Sequence, residues 1–237
     1  MAKRGSGGPR WVEVAPERIT GWVESFAQRH GETSAEVAPD VVVFRAADGA
    51  VAECHMPFPP LGGAASPDPA SPDPAGQIPA YQAQLMAEHA AADRTVGVLL
   101  VRLGGYAAGV FSGAPPRLEA SKVGARLVHG RSAAGGWSQH RFARRREKQA
   151  ATALDAAADT AAAVFGPHLR QLDAVVLGGD RRTVAGLRGD PRLAPYFDRA
   201  VERFLTVPDP RLAVLRETPR MFRSVRIRIS EGEGAGH

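Results

Sequence analysis

The chain has 237 residues, of which 44% are hydrophobic, and carries a formal net charge of +5 with an isoelectric point near 10.0. Arginine outnumbers lysine, which favours nucleic acid over acidic protein partners because guanidinium groups pair with phosphate and stack on bases; a GC-rich coding sequence produces the same overall bias. The single cysteine, Cys54, excludes a disulfide framework and favours a cytoplasmic location. Because there is no apolar run of 18 residues and no signal-peptide core, we expect neither a membrane span nor a signal peptide.

The first 56 residues predict a flexible tail at 1–9 and a small N-terminal α-β-β unit at 10–56. The helix of this unit should end near Gly31 and is marked by apolar residues at helical spacing, namely Ile19, Trp22, Val23 and Phe26. Two strands are predicted at 41–44 and 51–54, joined by a turn at 47–49.

A proline-rich linker is predicted at 57–79. The pentapeptide Ser-Pro-Asp-Pro-Ala occurs there twice in tandem, at 66–70 and 71–75. Such repeats are extended and cannot build a core. A short helix at 80–92 then opens a second domain, expected over residues 80–230.

The second domain begins with a series of short strands, predicted at 96–103, 106–111, 118–122 and 125–128. Their short connections favour an antiparallel meander. A long alanine-rich helix is predicted at 138–164, because this stretch lacks proline and glycine.

Strands and helices then alternate, with strands at 174–177, 203–207 and 224–229, helices at 181–187 and 210–217, and a disordered tail at 231–237. The expected fold class is mixed α/β or α+β, with an antiparallel-rich mixed sheet and a long helix.

The start of the long helix is strongly basic. Between Arg141 and Lys148 there are five positive residues and one negative residue. Four of them, Arg141, Arg144, Arg145 and Lys148, fall on one helical face. Cations in the first turns of a helix oppose its macrodipole, so this pattern indicates that a polyanion docks on this face.

The junction between the glycine-containing loop and this helix contains Gly136, Trp137, Ser138 and Gln139. One interpretation is a mobile loop in which Ser138 caps the helix. The other is a catalytic glutamine. Glutamine is a poor acid, base or nucleophile, so Gln139 would act through hydrogen bonds that position water and stabilise an oxyanion.

Three other motifs favour structural roles. Cys54 and His55 lie in a predicted strand without the further ligands that zinc requires. The segment 178–180 resembles the start of a phosphate loop but favours a strand-to-helix turn, although the arginines after it could touch RNA. Asp155 and Asp159 could hold a metal, but their spacing favours solvation of an alanine-rich helix.

The glycine-containing loop followed by a basic helix resembles the catalytic domain of eukaryotic and archaeal peptide release factors. It is more similar to the Vms-like release-factor peptidyl-tRNA hydrolases, above all their actinobacterial branch. The resemblance covers residues 95–230. Gln139 matches the glutamine of the family motif and Ser138 matches its serine, whereas Trp137 departs from the expected glycine.

This resemblance implies an RNase H-like, release-factor-type domain that hydrolyses peptidyl-tRNA on the ribosome and releases nascent chains from stalled complexes. It implies no metal and no cofactor, and as partners the RNA of the large ribosomal subunit and peptidyl-tRNA; we expect a monomer. The implied catalytic residues are Gln139, Ser138 and Gly136, and the implied RNA-binding residues are Arg131, Trp137, His140, Arg141, Arg144, Arg145 and Lys148.

The sequence is also compatible with two other functions. One is a non-catalytic ribosome- or RNA-binding module, anchored by the basic helix start at 138–149, in which Gln139 is incidental. The other is an RNase H-like nuclease. A nuclease needs clustered acidic metal ligands on adjacent strands, and the predicted strands carry almost none.

Overall fold

The computed structural model describes residues 8–62, 74–102, 105–125 and 138–231; for residues 74–77 and 138–147 it describes the backbone only. The chain divides into two compact units. Unit 1 comprises residues 1–92 and 223–237, and unit 2 comprises residues 93–222. Unit 2 is therefore an insertion, in sequence, between two parts of unit 1.

The elements follow in chain order: β1 (Arg10–Val14), α1 (Ile19–His30), β2 (Thr33–Val37), β3 (Val41–Ala46), β4 (Val51–His55), α2 (Pro74–Ala91), β5 (Val96–Arg102), β6 (Gly105–Ser112), β7 (Arg117–Ala125), α3 (Ser138–Phe165), β8 (Ala174–Gly179), α4 (Arg181–Ala185), α5 (Ala194–Phe197), β9 (Ala200–Leu205), α6 (Leu212–Arg223) and β10 (Val225–Ser230). Short 3-10 turns precede α1 and follow α3.

Unit 1 is an antiparallel sheet in the order β1-β10-β4-β3-β2. Alternate residues of its central strands, such as Phe44, Cys54 and Ile227, are fully buried. Phe26 of α1 and Met86 of α2 belong to the same core. The alternation of buried and exposed residues along each strand therefore puts both helices against one face of the sheet.

The predicted α-β-β unit is present as α1, β3 and β4, but the sheet also contains β1, β2 and β10. Two boundaries differ from the sequence-based expectation. Helix α2 begins at Pro74, within the predicted linker, and belongs to unit 1. Strand β10 was predicted as part of the second domain, but it pairs with β1 and β4 because Val225, Ile227 and Ile229 complete the core of unit 1.

Unit 2 is a mixed sheet in the order β7-β6-β5-β8-β9. Strand β6 is antiparallel to both of its neighbours, β7 and β5, whereas β8 is parallel to β5 and β9 is parallel to β8. By position in the unit, the strand order is 3-2-1-4-5, which is RNase H-like. The predicted fold class, an antiparallel-rich mixed sheet with a long helix, is confirmed.

Helices cover both faces of this sheet. On one face, Ala157, Ala161 and Phe165 of α3 pack in a core with Leu99 and Val175. On the other face, the ring of Phe222 in α6 meets that of Phe111 edge-on, with their centroids 5.9 Å apart. This contact explains why α6 continues to Arg223, beyond the predicted end at 217.

The strand predictions at 118–122 and 125–128 correspond to one strand, β7, which ends at Ala125. Residues 126–128 lie outside the described residues. The other predicted strands of unit 2 are confirmed with boundaries shifted by a few residues, the largest shift being the start of β9 at Ala200.

Candidate functional site

The segment that contains the candidate loop is attached at one edge of the sheet in unit 2. Ala125, the last residue of β7, pairs with Gly105, which pairs with Arg102 at the end of β5. Val101 in turn pairs with Gly179 at the end of β8. The carboxyl ends of β5, β7 and β8 therefore meet at one edge, which we call the C-terminal edge.

Helix α3 runs away from this edge. Its last residue, Phe165, lies beside Gly97 near the start of β5, where a Cβ placed on Gly97 would be 3.3 Å from the Phe165 ring. The helix has 28 residues, or about 42 Å at ~1.5 Å per residue. Strand β5 is only about 20 Å long at ~3.3 Å per residue. Because α3 is about twice as long as β5 and ends near the start of that strand, its first turns extend beyond the C-terminal edge.

The burial of α3 agrees with this geometry. Ala157, Ala158 and Ala161 are fully buried, whereas Lys148 is exposed. The helix ends in a 3-10 turn at Gly166–His168, where Pro167 occupies the first turn. The alanine-rich composition favours the helix throughout, and the packed half anchors the projecting half.

The predicted site residues fall into two groups. Arg131, Gly136 and Trp137 lie outside the described residues. Ser138, Gln139, His140, Arg141, Arg144, Arg145 and Lys148 all belong to α3, which begins at Ser138. Of their side chains only that of Lys148 is described. The helical backbone gives positions 141, 144, 145 and 148 the spacing of one helical face.

A cluster of ion pairs holds α3 to the segment between α4 and α5. The guanidinium group of Arg192 donates to the carboxylates of Asp155 and Asp159 on α3 and of Asp190, with distances of 2.7 Å to Asp155 and 2.9 Å to Asp190. The hydrogen bond from Arg192 lowers the pKa of Asp190. Asp155 and Asp159 thus form ion pairs with an arginine, a role that sequence analysis did not predict.

The segment 178–180 is the predicted strand-to-helix turn. Gly179 has a φ of +105°, and a Cβ on Gly178 would lie 2.8 Å from the carbonyl oxygen of Leu205. Asp180 caps α4, because its carboxylate accepts hydrogen bonds from the backbone N–H and the hydroxyl of Thr183 at 2.8 and 2.7 Å. These bonds lower the pKa of Asp180.

Cys54 and His55 have structural surroundings. Cys54 is fully buried in the core of unit 1, and burial raises the pKa of its thiol, so it is not a reactive thiolate. On the opposite face of β4, the ring of His55 lies 5.2 Å from that of Trp11.

Within the residues that the structure describes, no group of three or more His, Cys, Asp or Glu side chains is arranged to hold a metal ion. The helices in that part of the chain are also too short or too polar to cross a membrane.

Sequence analysis missed the contacts of Arg192 and Arg102, which connect elements of unit 2 to one another. Arg102 donates to the carbonyl oxygen of Val207 at 2.7 Å and lies 3.9 Å from the carboxylate of Asp209. Both arginines contact residues far away in the sequence, so no local pattern could have revealed them.

Unit 2 thus combines an RNase H-like sheet with a long helix whose first turns extend past the C-terminal edge. A family model described as the actinobacteria/chloroflexi VLRF1 release factor matches residues 94–228. The match spans more than half of the chain, so the protein belongs to this release-factor family. The curated proteins include no significant match.

Several solved structures align with the chain at low similarity. The Vms1 mitochondrial localization core is 11% identical, with a TM-score of 0.34, over 89% of this chain and 80% of that one. The archaeal translation termination factor aRF1 is 11% identical, with a TM-score of 0.39, over 88% of this chain and 62% of that one. Pelota from Archaeoglobus fulgidus is 10% identical, with a TM-score of 0.28, over 94% and 66%. These likenesses are distant, and the family assignment depends on the family model.

Proposed function

We propose that this protein is a peptidyl-tRNA hydrolase that acts on the ribosome and releases nascent chains from stalled complexes. The observation that carries the proposal is the family match over 94–228, together with the position of Gln139 in the first turn of α3. The substrate is the ester between the nascent chain and the terminal ribose of tRNA, and the partner is the RNA of the large subunit.

In the proposed reaction a water oxygen attacks the ester carbonyl carbon and forms a tetrahedral oxyanion. The bond from that carbon to the ribose oxygen then breaks, and the 2′-hydroxyl of the substrate passes its proton to the departing oxygen while it takes up a proton from the attacking water. Gln139 cannot act as an acid or base at neutral pH. It contributes hydrogen bonds that position the water and stabilise the developing charge, while Ser138 and Gly136 shape the backbone beside it.

The basic start of α3 would hold this loop against RNA. Arg141, Arg144, Arg145 and Lys148 would contact phosphates, with Arg131 and His140 nearby in sequence and Trp137 stacking on a base. The exposure of Lys148 and the projection of the helix beyond the sheet support this role, because an overhanging helix can enter a cleft that the body of the domain cannot.

The test is release of a labelled peptide from ribosomal complexes that carry peptidyl-tRNA. Gln139→Ala should lower the single-turnover rate about 10²–10³-fold, the usual loss when one transition-state donor is removed. Gln149→Ala is the matched control, since it removes the same side chain from the same helix about 15 Å further along. Ribosome binding should persist in both variants.

An unchanged release rate in Gln139→Ala would refute the catalytic role. If the wild-type protein also bound ribosomes without releasing peptide, the non-catalytic binding module would be the correct function.

A further inference from the structure

The chain segment between β9 and α6 crosses the C-terminal edge of unit 2. Arg102 donates a hydrogen bond to the carbonyl oxygen of Val207 in this segment. Pro210 lies against Gly105, because a Cβ added to Gly105 would be 3.4 Å from the Cδ of Pro210. The next residue, Arg211, is exposed. Gly105 pairs with Ala125, so Pro210, which Arg211 follows in the chain, lies one strand away from the end of β7.

Two more exposed arginines, Arg181 and Arg182, follow β8 at the same edge. The guanidinium carbon of Arg181 lies 4.4 Å from the centre of the Phe204 ring, which orients that group and leaves its N–H donors available. Arg182 has no hydrogen bond or salt bridge with any described residue, and its charge acts on the nearby carboxylate of Asp180, whose pKa it helps to lower. We call Arg181, Arg182 and Arg211 the arginine edge.

The nearby carboxylates already have partners. Asp180 accepts two hydrogen bonds from Thr183, and Asp209 is 3.9 Å from Arg102. The three guanidinium groups of the arginine edge are therefore left without an ion pair among the described residues. Along the C-terminal edge, the elements that carry Arg181 and Arg211 are two or three strand spacings apart, or about 10–15 Å at ~4.8 Å per spacing. Arg181 lies against Phe204 on the face that α3 covers, whereas Pro210 lies against Gly105 on the face that α6 covers.

We infer that the arginine edge binds the phosphate backbone of RNA next to the candidate catalytic loop. This inference rests on the proposed function, which brings the loop and hence the C-terminal edge to ribosomal RNA. Guanidinium groups match phosphate with paired N–H donors, and three of them at one end of the sheet suit a polyanion that passes across that end. The basic face of α3 and the arginine edge would then contact RNA from two different elements of unit 2.

The test compares binding of the full-length protein to purified large ribosomal subunits over a range of salt concentrations. Replacing all three arginines of the edge by glutamine should reduce the slope of log affinity against log salt by about 2–3, at ~0.7–0.9 per lost phosphate contact. Between 50 and 200 mM salt, the fall in affinity should be roughly 20–40 times smaller than for the wild type. The triple lysine variant keeps the charge and should keep the slope.

The matched control replaces three exposed arginines away from this edge, Arg117, Arg170 and Arg220. Arg117 is the first residue of β7 and Arg170 lies shortly before β8, so both are at the opposite ends of the strands, and Arg220 lies in the last turns of α6. This variant loses the same net charge and should bind with nearly the wild-type slope. Circular dichroism should show all variants folded, because every replaced side chain is exposed.

Peptide release is measured in parallel. If the wild type releases peptide but the glutamine variant of the edge keeps the wild-type slope, or the control loses as much, the arginine edge is not an RNA contact and the proposed function stands. If the wild type binds without releasing peptide and only the edge variant has the reduced slope, the hydrolase function fails and the arginine edge is supported. A wild-type protein that does not bind the subunits overturns both.

Discussion

Gly179 is the position at which a single methyl group should most disturb the C-terminal edge. Its φ of +105° is a conformation that L-residues rarely adopt, and an added Cβ would overlap the carbonyl oxygen of Val101. The same carbonyl accepts the backbone N–H of Asp180 at 2.8 Å. Backbone movement that relieves the overlap would also disturb this hydrogen bond and the cap of α4.

The expected cost of Gly179→Ala follows from these two effects. A strained left-handed conformation costs about 1–3 kcal/mol, and overpacking in a close-packed region costs about 1–3 kcal/mol more. We therefore expect the free energy of unfolding of unit 2 to fall by about 2–6 kcal/mol.

Gly189→Ala is the matched control. Gly189 has no positive φ, and no heavy atom lies within 4 Å of an added Cβ. At such a site alanine reduces the entropy of the unfolded chain and stabilises by about 0.4–1 kcal/mol. The two substitutions are chemically identical, and their effects should have opposite signs.

Native-state hydrogen exchange is the suitable assay, since the two units can open separately. Protection of the amides in β5 and β8 should fall in Gly179→Ala, while protection in β3 and β4 of unit 1 should change little. If the two alanine variants differed by less than about 0.5 kcal/mol, which is within the range of ordinary surface substitutions, the steric reasoning would be wrong.

Three further predictions concern the site and its edge. Replacing Arg141, Arg144 and Arg145 together by glutamine should weaken ribosome binding and reduce its log–log salt slope by about 2–3; an unchanged slope would mean that this face is only solvated. Trp137→Ala should weaken productive engagement about 10–100-fold, whereas Trp137→Phe retains most activity; in a variant without the other two tryptophans, fluorescence that does not respond to ribosomal subunits would contradict stacking. Asp180→Ala should cost about 1 kcal/mol at pH 7 through loss of the cap. Because its pKa is lowered in the folded state, the difference from wild type, followed by urea unfolding, should persist above pH ~4 and shrink as pH falls through the lowered pKa.

Local patterns in the sequence were sufficient to predict most of the helices and strands. The alanine-rich stretch predicted α3 to within a residue at each end, because helix propensity and the Gly166-Pro167 stop are properties of neighbouring residues. The apolar runs likewise predicted β5 and β8. The expected functional residues, including Gln139 and the basic positions after it, came from the motif and its place before a long helix.

Strand pairing required the tertiary structure. Residues 224–229 read as a strand that follows the other elements of the second domain, yet β10 pairs with β1 and β4 of unit 1. A period of two predicts that one face of a strand is buried, but it does not specify the sheet that supplies the neighbours. The strand joins the sheet whose core its apolar residues complete, here the core of unit 1.

The contacts around the candidate site also depend on tertiary structure, because they join residues that are distant in the sequence. Arg192 contacts carboxylates 33 and 37 residues away, and Arg102 contacts a carbonyl 105 residues away. Composition and spacing predicted helices, strands and a basic helical face because these depend on local backbone geometry and side-chain periodicity. The arginine edge and the anchoring of α3 depend on which strand ends are adjacent in the folded sheet, and that is a property of long-range packing.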